Sequence, residues 1–169
     1  MTEPELQLGI SKDVLIMYKR QQLTETLADM ISQSRRTVRI FSDNLEPRIY
    51  SHEAICQPLA SMVSQSRRAK VEILIQDIEA VIKADHAMVK LMRHLSSYVE
   101  IRITAQEHSQ YDQAFALIDD CGYYHRRPQD SRDFEVCYNG RLKVRDLANE
   151  FKAMWEQSRR ATKLLQLHI

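Results

Sequence analysis

The sequence predicts an α/β domain in which helices form layers on both faces of a mixed, mostly parallel sheet. The first observation is a repeat: Ser-Gln-Ser-Arg-Arg occurs at residues 32–36 and again at 64–68. Each copy follows a segment with helical periodicity and precedes a β-branched run, so each marks a junction from helix to strand. The second observation is that helical and strand-like segments alternate along the chain. Such alternation is typical of helices that connect parallel strands.

The individual elements follow from local patterns. Apolar residues at helical spacing, among them Ile16, Leu23 and Leu27, predict a first helix over 13–33. Further helices are expected over 51–66, with Ser51 as its N-cap, over 79–96 and over 142–165. Residues 43–50 are predicted as a loop. Pro58 should either kink the second helix or stand at its first position.

Strands are predicted by β-branched and alternating runs. They are expected over 37–42, 70–76, 98–104, 114–119, 122–125 and 134–138. The Asp-Asp-Cys-Gly turn at 119–122 joins two of them into a hairpin. Residues 38–40 and 99–103 carry a charge at every second position, whereas covered parallel strands are apolar on both faces. One face of the sheet should therefore be partly open, or be covered by a second subunit.

Length and composition favour one soluble globular domain. The 169 residues are 44% hydrophobic and 28% charged, and the net charge of +1 creates no global field for nucleic acid or membranes. We predict a tail at 1–12 and a single domain at 13–169. The acidic N-terminal residues lack a signal-peptide core and no run is long enough to span a membrane, so we expect a cytoplasmic protein without a membrane partner. The three cysteines are expected as buried free thiols.

The predicted order of elements resembles one half of the phospholipase D fold. The local match is residues 112–120, Asp-Gln-Ala-Phe-Ala-Leu-Ile-Asp-Asp, laid on the superfamily pattern His-x-Lys-x-x-x-x-Asp, then six residues and Gly-Ser-x-x-Asn. The His, Lys, Asp, Gly, Ser and Asn of that pattern fall on Asp112, Ala114, Asp119, Arg126, Arg127 and Asp130. The resemblance implies that the phosphodiesterase chemistry is lost, because a carboxylate cannot replace an imidazole that forms a phospho-enzyme and Ala114 cannot hold phosphate.

A closer resemblance covers nearly the whole chain, and its motifs lie in the C-terminal part. Tyr-Asn at 138–139, Ala-Asn-Glu-Phe at 148–151 and Trp-Glu-Gln-Ser at 155–158 resemble an uncharacterised bacterial family of degenerate phospholipase D-like domains. Those domains occur alone or downstream of GNAT-type acetyltransferase domains. Because the coenzyme A loop of acetyltransferases is absent here, acetyl transfer does not carry over. The resemblance implies a homodimer, since active members join two such halves, and a separate acetyltransferase as a partner.

Three sets of residues are candidates for binding. His125, Arg126 and Arg127 follow the hairpin where the superfamily grips phosphate, and with Asp119 they could form an anion pocket. The alternative is that these arginines only pair with nearby carboxylates. Asp43 and the loop carrying His108 follow strands, and loops at the carboxyl ends of parallel strands commonly form binding crevices.

The third set is a group of arginine pairs predicted at helix ends. It comprises Arg35, Arg36, Arg67, Arg68, Arg159 and Arg160. These cations could bind nucleic acid if they share one surface, although no aromatic residues are interleaved for base stacking. The alternative is that they only complement helix dipoles.

The function predicted from sequence is a non-catalytic phospholipase D-like binding or interaction module. One alternative is a divergent enzyme on a phosphorylated substrate, with His125 or His108 as acid/base and the two arginines as phosphate clamps. The other is nucleic-acid binding through the arginine pairs, which is not favoured. No catalytic residue, cofactor or metal is assigned; His86 and His94 share one helical side, but no third donor accompanies them.

Overall fold

One eight-stranded sheet organises the chain. The computed structural model describes residues 5–127 and 132–166. The strands are β1 (Val14–Met17), β2 (Thr37–Phe41), β3 (Lys70–Ile75), β4 (Val99–Ile103), β5 (Ala114–Ile118), β6 (Gly122–Arg126), β7 (Phe134–Cys137) and β8 (Arg159–Arg160). The helices are α1 (Arg20–Gln33), α2 (Pro47–Tyr50), α3 (Glu53–Gln65), α4 (Ile78–Lys83), α5 (Ala87–His94), α6 (Arg141–Glu156) and α7 (Thr162–Leu165), with a 3-10 turn at Gln106–His108.

The sheet is mixed, as predicted, but mostly antiparallel. Its strand order is β1-β7-β6-β5-β2-β3-β4-β8, and among these described strands only the β2–β3 and β3–β4 pairs are parallel. The prediction of a mostly parallel sheet is wrong because the hairpin β5–β6 and the strands β7 and β1 extend the sheet beside β2 by antiparallel pairing. Helix-to-strand junctions build only its parallel half.

The two faces of the sheet are covered unequally. On one face α1 and α3, with α5, bury the larger core, which includes Leu23, Leu27 and Ile73. On the other face α6 packs over β5 and β6 through residues such as Phe151. The predicted α-β-α layering is therefore confirmed, with more helices on one face of the sheet than on the other.

The polar face predicted for β2 and β4 exists, and its charges pair within the chain. Arg39 bonds Glu72 on the neighbouring strand at 3.2 Å, and Arg102 bonds Glu100 at 3.1 Å. The guanidinium of Arg102 also lies 4.5 Å from the centre of the Trp155 ring. These contacts explain how alternating charged residues are accommodated without a covering subunit.

Several predicted helices differ from the observed ones. The first helix begins only at Arg20, because the apolar run that contains Ile16 forms β1 instead. The predicted helix over 79–96 is broken into α4 and α5 near Asp85, which has a positive φ of 48°. The N-cap of α3 is His52, not Ser51, and Pro58 lies inside that helix.

The long final helix over 142–165 is also wrong. It ends at Glu156, and Arg159 and Arg160 form the edge strand β8 beside β4. Residues 5–12 of the predicted tail pack on the domain: Gly9 N–H donates to the Tyr138 carbonyl, and Leu8 N–H donates to Gln33 Oε1.

Candidate functional site

A cavity opens where the carboxyl end of β2 meets the start of β5 and the end of β6. Its volume is about 340 Å³, and it is lined by Asp43, Ser109, Gln110, Tyr111, Asp112 and Arg126. Asp43 is the second residue after β2, and the segment 109–113 connects the 3-10 turn to β5. This is the edge at which the sequence predicted a crevice, and two predicted binding residues, Asp43 and Arg126, line it.

Hydrogen bonds of the main chain shape this edge. The Asp43 carbonyl accepts N–H bonds from Gln76 and Asp77, which ties the loops after β2 and β3 together. The side-chain amide of Gln76 then donates to the carbonyls of His108 and Tyr111, at 2.9 and 3.1 Å. A glutamine that the sequence did not single out therefore holds the cavity wall in place.

The charge of the cavity is dominated by carboxylates. Burial raises the pKa of Asp43, and the negative charges of Asp77 and Asp112 raise that pKa further. Only Arg126 acts in the opposite direction among these neighbours. Two lining carboxylates, Asp43 and Asp112, with Asp77 nearby, face one guanidinium, which makes this cavity a poor site for a phosphate dianion.

Arg126 is the cation of this cavity. It stands opposite Ala114 in the β5–β6 pair, so the two residues share a face of the sheet. The resemblance places the phosphate-holding Lys at Ala114, and the structure thus sets a guanidinium beside that position on the next strand. Arg126 Nε and the nearby hydroxyl of Tyr50 are buried without a hydrogen-bond partner among the described residues.

Asp119, predicted in the same pocket, lies at the opposite end of the hairpin. It follows the last residue of β5, whereas Arg126 pairs with the first. Its carboxylate accepts backbone N–H bonds from Arg35, Arg36 and Thr37, with the shortest to each at 3.1, 2.9 and 3.1 Å. The predicted grouping of Asp119 with Arg126 and Arg127 is therefore not formed, and Asp119 anchors the hairpin turn to the start of β2.

Neither candidate histidine lines the cavity. His125 points to the face of β6 opposite Arg126, because side chains alternate along a strand, and its Nε2–H donates to Gln113 at 2.7 Å. Burial lowers the pKa of His125 to about 4, and the positive charge of Lys143 contributes to that shift. His108 Nε2 bonds the side chain of Gln157 at 2.6 Å.

Arg127 takes part in the ion pairing that the sequence left as an alternative. Its guanidinium bonds Glu135 at 3.2 Å. Glu135 also accepts the hydroxyl bond of Tyr123 at 2.6 Å. Asp130, where the resemblance places the Asn, lies outside the described residues.

The six candidate arginines separate into two groups. Arg35, Arg36, Arg67 and Arg68 are exposed in the loops that lead into β2 and β3, at the amino edge of the parallel strands. Lys70 N–H donates to the Arg36 carbonyl at 2.8 Å, which holds the two loops side by side. Arg159 and Arg160 lie on β8 at the end of the sheet, where Arg160 pairs with Glu100. The six therefore do not form one surface.

Two further properties bear on the kind of site. The described residues contain no group of three or more His, Cys, Asp or Glu side chains that could hold a metal ion. In the same part of the chain, no helix is both long and apolar enough to cross a membrane.

Comparison with solved structures defines the class of the fold. The chain is similar to Nuc from Salmonella typhimurium, a phospholipase D family member, with a TM-score of 0.58 and 14% identity over 88% of this chain and 97% of Nuc. It is also similar to TrmBL2, an archaeal chromatin protein with a novel mode of DNA binding, with a TM-score of 0.66 and 13% identity over 90% of this chain. Phosphatidylserine synthase from Haemophilus influenzae Rd KW20 has a TM-score of 0.61 and 11% identity over 93% of this chain. The fold is phospholipase D-like, as the sequence predicted.

The family follows from the sequence match. The chain belongs to the family described as Domain of unknown function (DUF7931), whose model matches residues 19–167. It spans 54% of TrmBL2 and 41% of the synthase. Among curated proteins, none matches the chain.

Proposed function

We propose that this chain is a non-catalytic phospholipase D-like binding or interaction module. The observation that carries the proposal is the composition of the carboxyl-edge cavity: Asp112 occupies the position of the superfamily His, and no imidazole is among its described lining residues. The nearest candidates, His125 and His108, are held by Gln113 and Gln157. The phospho-enzyme of the superfamily forms on an imidazole, and the described lining of this cavity supplies none.

The charges of the cavity support the same proposal. A phosphate clamp needs cations that converge on one point. Arg126 reaches the cavity, but Arg127 is paired with Glu135, and Asp43 adds negative charge. These contacts weigh against the divergent enzyme that would use both arginines as clamps.

Hydrolysis of bis(p-nitrophenyl) phosphate tests the absence of phosphodiesterase chemistry. We expect the wild-type protein to give the uncatalysed rate, and the His125→Ala and His108→Ala variants to give the same rate. If the wild type turns over substrate above background and either variant loses this activity with an unchanged circular dichroism spectrum, the chain is an enzyme and the proposal of a non-catalytic module is wrong. Turnover that persists in both variants but is lost in Asp112→Ala would also point to an enzyme, whereas turnover that persists in all three variants indicates a contaminating nuclease.

A second candidate function is sequence-independent nucleic-acid binding at the amino edge of the parallel strands. Arg35, Arg36, Arg67 and Arg68 are all exposed there, and none makes an ion pair with a described residue. Cations free to approach phosphates supply most of the affinity in non-specific binding. The fold similarity to a chromatin protein is consistent with this function without establishing it.

Fluorescence anisotropy with a labelled DNA duplex tests this second function. If four phosphates are neutralised, affinity should fall roughly 100-fold between about 50 and 200 mM salt. Replacing the four amino-edge arginines by alanine should remove binding, whereas Arg159→Ala/Arg160→Ala should leave it intact. Equal losses of affinity in both variants would show that binding depends on the overall positive charge and not on the amino edge. The absence of binding at low salt would eliminate this candidate.

The homodimer implied by the resemblance remains part of the proposal. The polar face of β2, β3 and β4 does not require it, since Arg39, Glu72, Glu100 and Arg102 pair within the chain. A different surface is better suited to self-association.

A further inference from the structure

Among residues 5–127 and 132–166, no strand pairs with the outer edge of β1. β1 is the last strand of the sheet and pairs only with β7 among the described strands. An unpaired edge presents backbone N–H and C=O groups to any strand that approaches it, and soluble proteins usually guard such edges with charges, prolines or bulges. The sequence of β1 is Val-Leu-Ile-Met, which contains neither a charged residue nor a proline. It also lies ahead of residues 19–167, which match the family.

Exposed apolar side chains accompany this edge. Val14, Ile16 and Tyr18 are 56%, 45% and 72% exposed, which places them among the few large hydrophobic residues on the surface. Their spacing of two puts them on one face of the extended segment. Val14 stands opposite Cys137, so this is the face that α6 covers farther along the sheet.

The extended backbone continues past the end of β1 at Met17, as far as Lys19. Lys19, the residue before α1, has an extended backbone with φ −114° and ψ 133°. On the inner face Met17 is buried and Leu15 packs against the main core, so these two side chains fix which face each residue occupies. Residues 14–19 thus offer a short extended edge with one apolar face outside the core.

We propose that β1 pairs antiparallel with β1 of a second copy of this chain, around a two-fold axis at Ile16. In a continuous sheet, residues that stand opposite each other lie on the same face, so only registers that keep even residues opposite even residues are allowed. The register centred on Ile16 sets Val14 opposite Tyr18 of the second copy and Leu15 opposite Met17. It also sets Asp13 opposite Lys19, which joins opposite charges.

The neighbouring registers lose this complementarity. Centred on Leu15, Asp13 would face Met17; centred on Met17, Leu15 would face Lys19. Only the register on Ile16 brings all three exposed apolar side chains of one copy against those of the other. The self-complementary pattern of apolar and charged residues is what favours a second copy over an unrelated strand.

Analytical ultracentrifugation from low to high micromolar concentration tests the interface. We expect a concentration-dependent dimer that Ile16→Lys weakens by at least about tenfold, because two cations would then meet at the axis. Leu165→Lys is the matched control, since Leu165 is another exposed apolar residue, in α7 next to the opposite end of the sheet. A monomer at every concentration overturns the proposal, and a dimer unaffected by Ile16→Lys moves the interface elsewhere.

Cross-linking tests the register. Directly opposed antiparallel residues have Cα atoms about 4.5–5.5 Å apart, within the range that a disulfide spans. Under mild oxidation, Ile16→Cys should therefore form a covalent dimer. In Val14→Cys the two thiols would lie about 14 Å apart along the strands, and no cross-link is expected. The opposite result would exclude this register.

A charge exchange gives a third, independent readout. Asp13→Lys and Lys19→Asp should each weaken the dimer, and the double variant should restore it. Failure of the double variant to recover would overturn the proposed pairing of these residues. None of these outcomes depends on phosphodiester hydrolysis, so the interface and the non-catalytic role can fail separately.

Discussion

Asp119→Ala is expected to lower the free energy of unfolding by about 2–3 kcal/mol. The carboxylate accepts backbone N–H bonds from Arg35, Arg36 and Thr37, and bonds to a charged acceptor are worth more than neutral ones. Asp119 also has a positive φ of 51°, a conformation that costs alanine about 1–2 kcal/mol. The partial exposure of the three N–H groups limits the loss, because water can replace some of the bonds. Urea unfolding followed by circular dichroism measures the change.

Two further variants separate the causes of this loss. Asp119→Asn keeps one acceptor oxygen and tolerates the left-handed conformation, so it should cost only about 1 kcal/mol. Asp120→Ala changes the neighbouring carboxylate, which makes none of these bonds, and should have little effect. A stability of Asp119→Ala equal to that of Asp120→Ala would contradict the anchoring role. The expected order would show that the one signature residue retained from the resemblance is structural in this chain.

Acidification below pH 6.5 is expected to destabilise the protein through two histidines. The pKa of His125 is lowered to about 4 and the pKa of His86 is also lowered, in both cases chiefly by burial. Below pH 6.5 these histidines are protonated in the unfolded chain but remain neutral in the folded chain. Their contribution to the free energy of unfolding is therefore present above pH 6.5 and is lost as pH falls. For His125 alone the loss between pH 7 and pH 5 is about 2 kcal/mol.

The hydrogen bonds of His86 also predict that acidification destabilises the folded chain. Its Nε2–H donates to the Leu45 carbonyl at 2.6 Å, while its Nδ1 accepts the N–H of Met88 at the start of α5. Protonation would convert Nδ1 into a donor and break the second bond.

Unfolding free energies measured between pH 5 and pH 8 test this prediction. His125→Gln removes one titrating group and should flatten the decline, whereas His94→Gln, at an exposed histidine, should leave it unchanged. Some carboxylates act in the other direction at lower pH: the raised pKa of Asp43 makes its ionisation unfavourable to folding. A stability that stays constant or increases from pH 7 to pH 5 would contradict the prediction.

The strands β2 to β7 and the hairpin were predictable because their signals are local, whereas β1 and β8 were expected as helix. β-Branched runs predicted β2, β3 and β4, and the Asp-Asp-Cys-Gly turn predicted the β5–β6 hairpin. The helix boundaries were less predictable. Ile16 fits a helical apolar pattern as well as a strand, and pairing with β7, which is distant in sequence, decides for the strand.

The sequence predicted where the candidate site lies, but not which residues line it. Asp43 and the loop after β4 lie at one edge because parallel strands end together, and this rule placed the cavity. The grouping of Asp119 with Arg126 failed because the hairpin puts them at opposite ends of two paired strands. The prediction that His125 belongs to the same site was wrong, because side chains alternate along a strand and His125 lies on the face opposite Arg126. No sequence signal identified Gln76 as the residue that holds the cavity wall.

By itself the sequence determined that this chain alternates helices and strands, contains a hairpin and resembles the phospholipase D fold without that superfamily's His and Lys. These properties depend on residue type and on spacing along the chain. Tertiary structure alone decided that the sheet is mostly antiparallel, that the six arginines divide into two groups and that β1 leaves an open apolar edge. The physical reason is that strand order, face and exposure depend on which distant segments pair, and pairing energies are shared between residues that no local pattern connects.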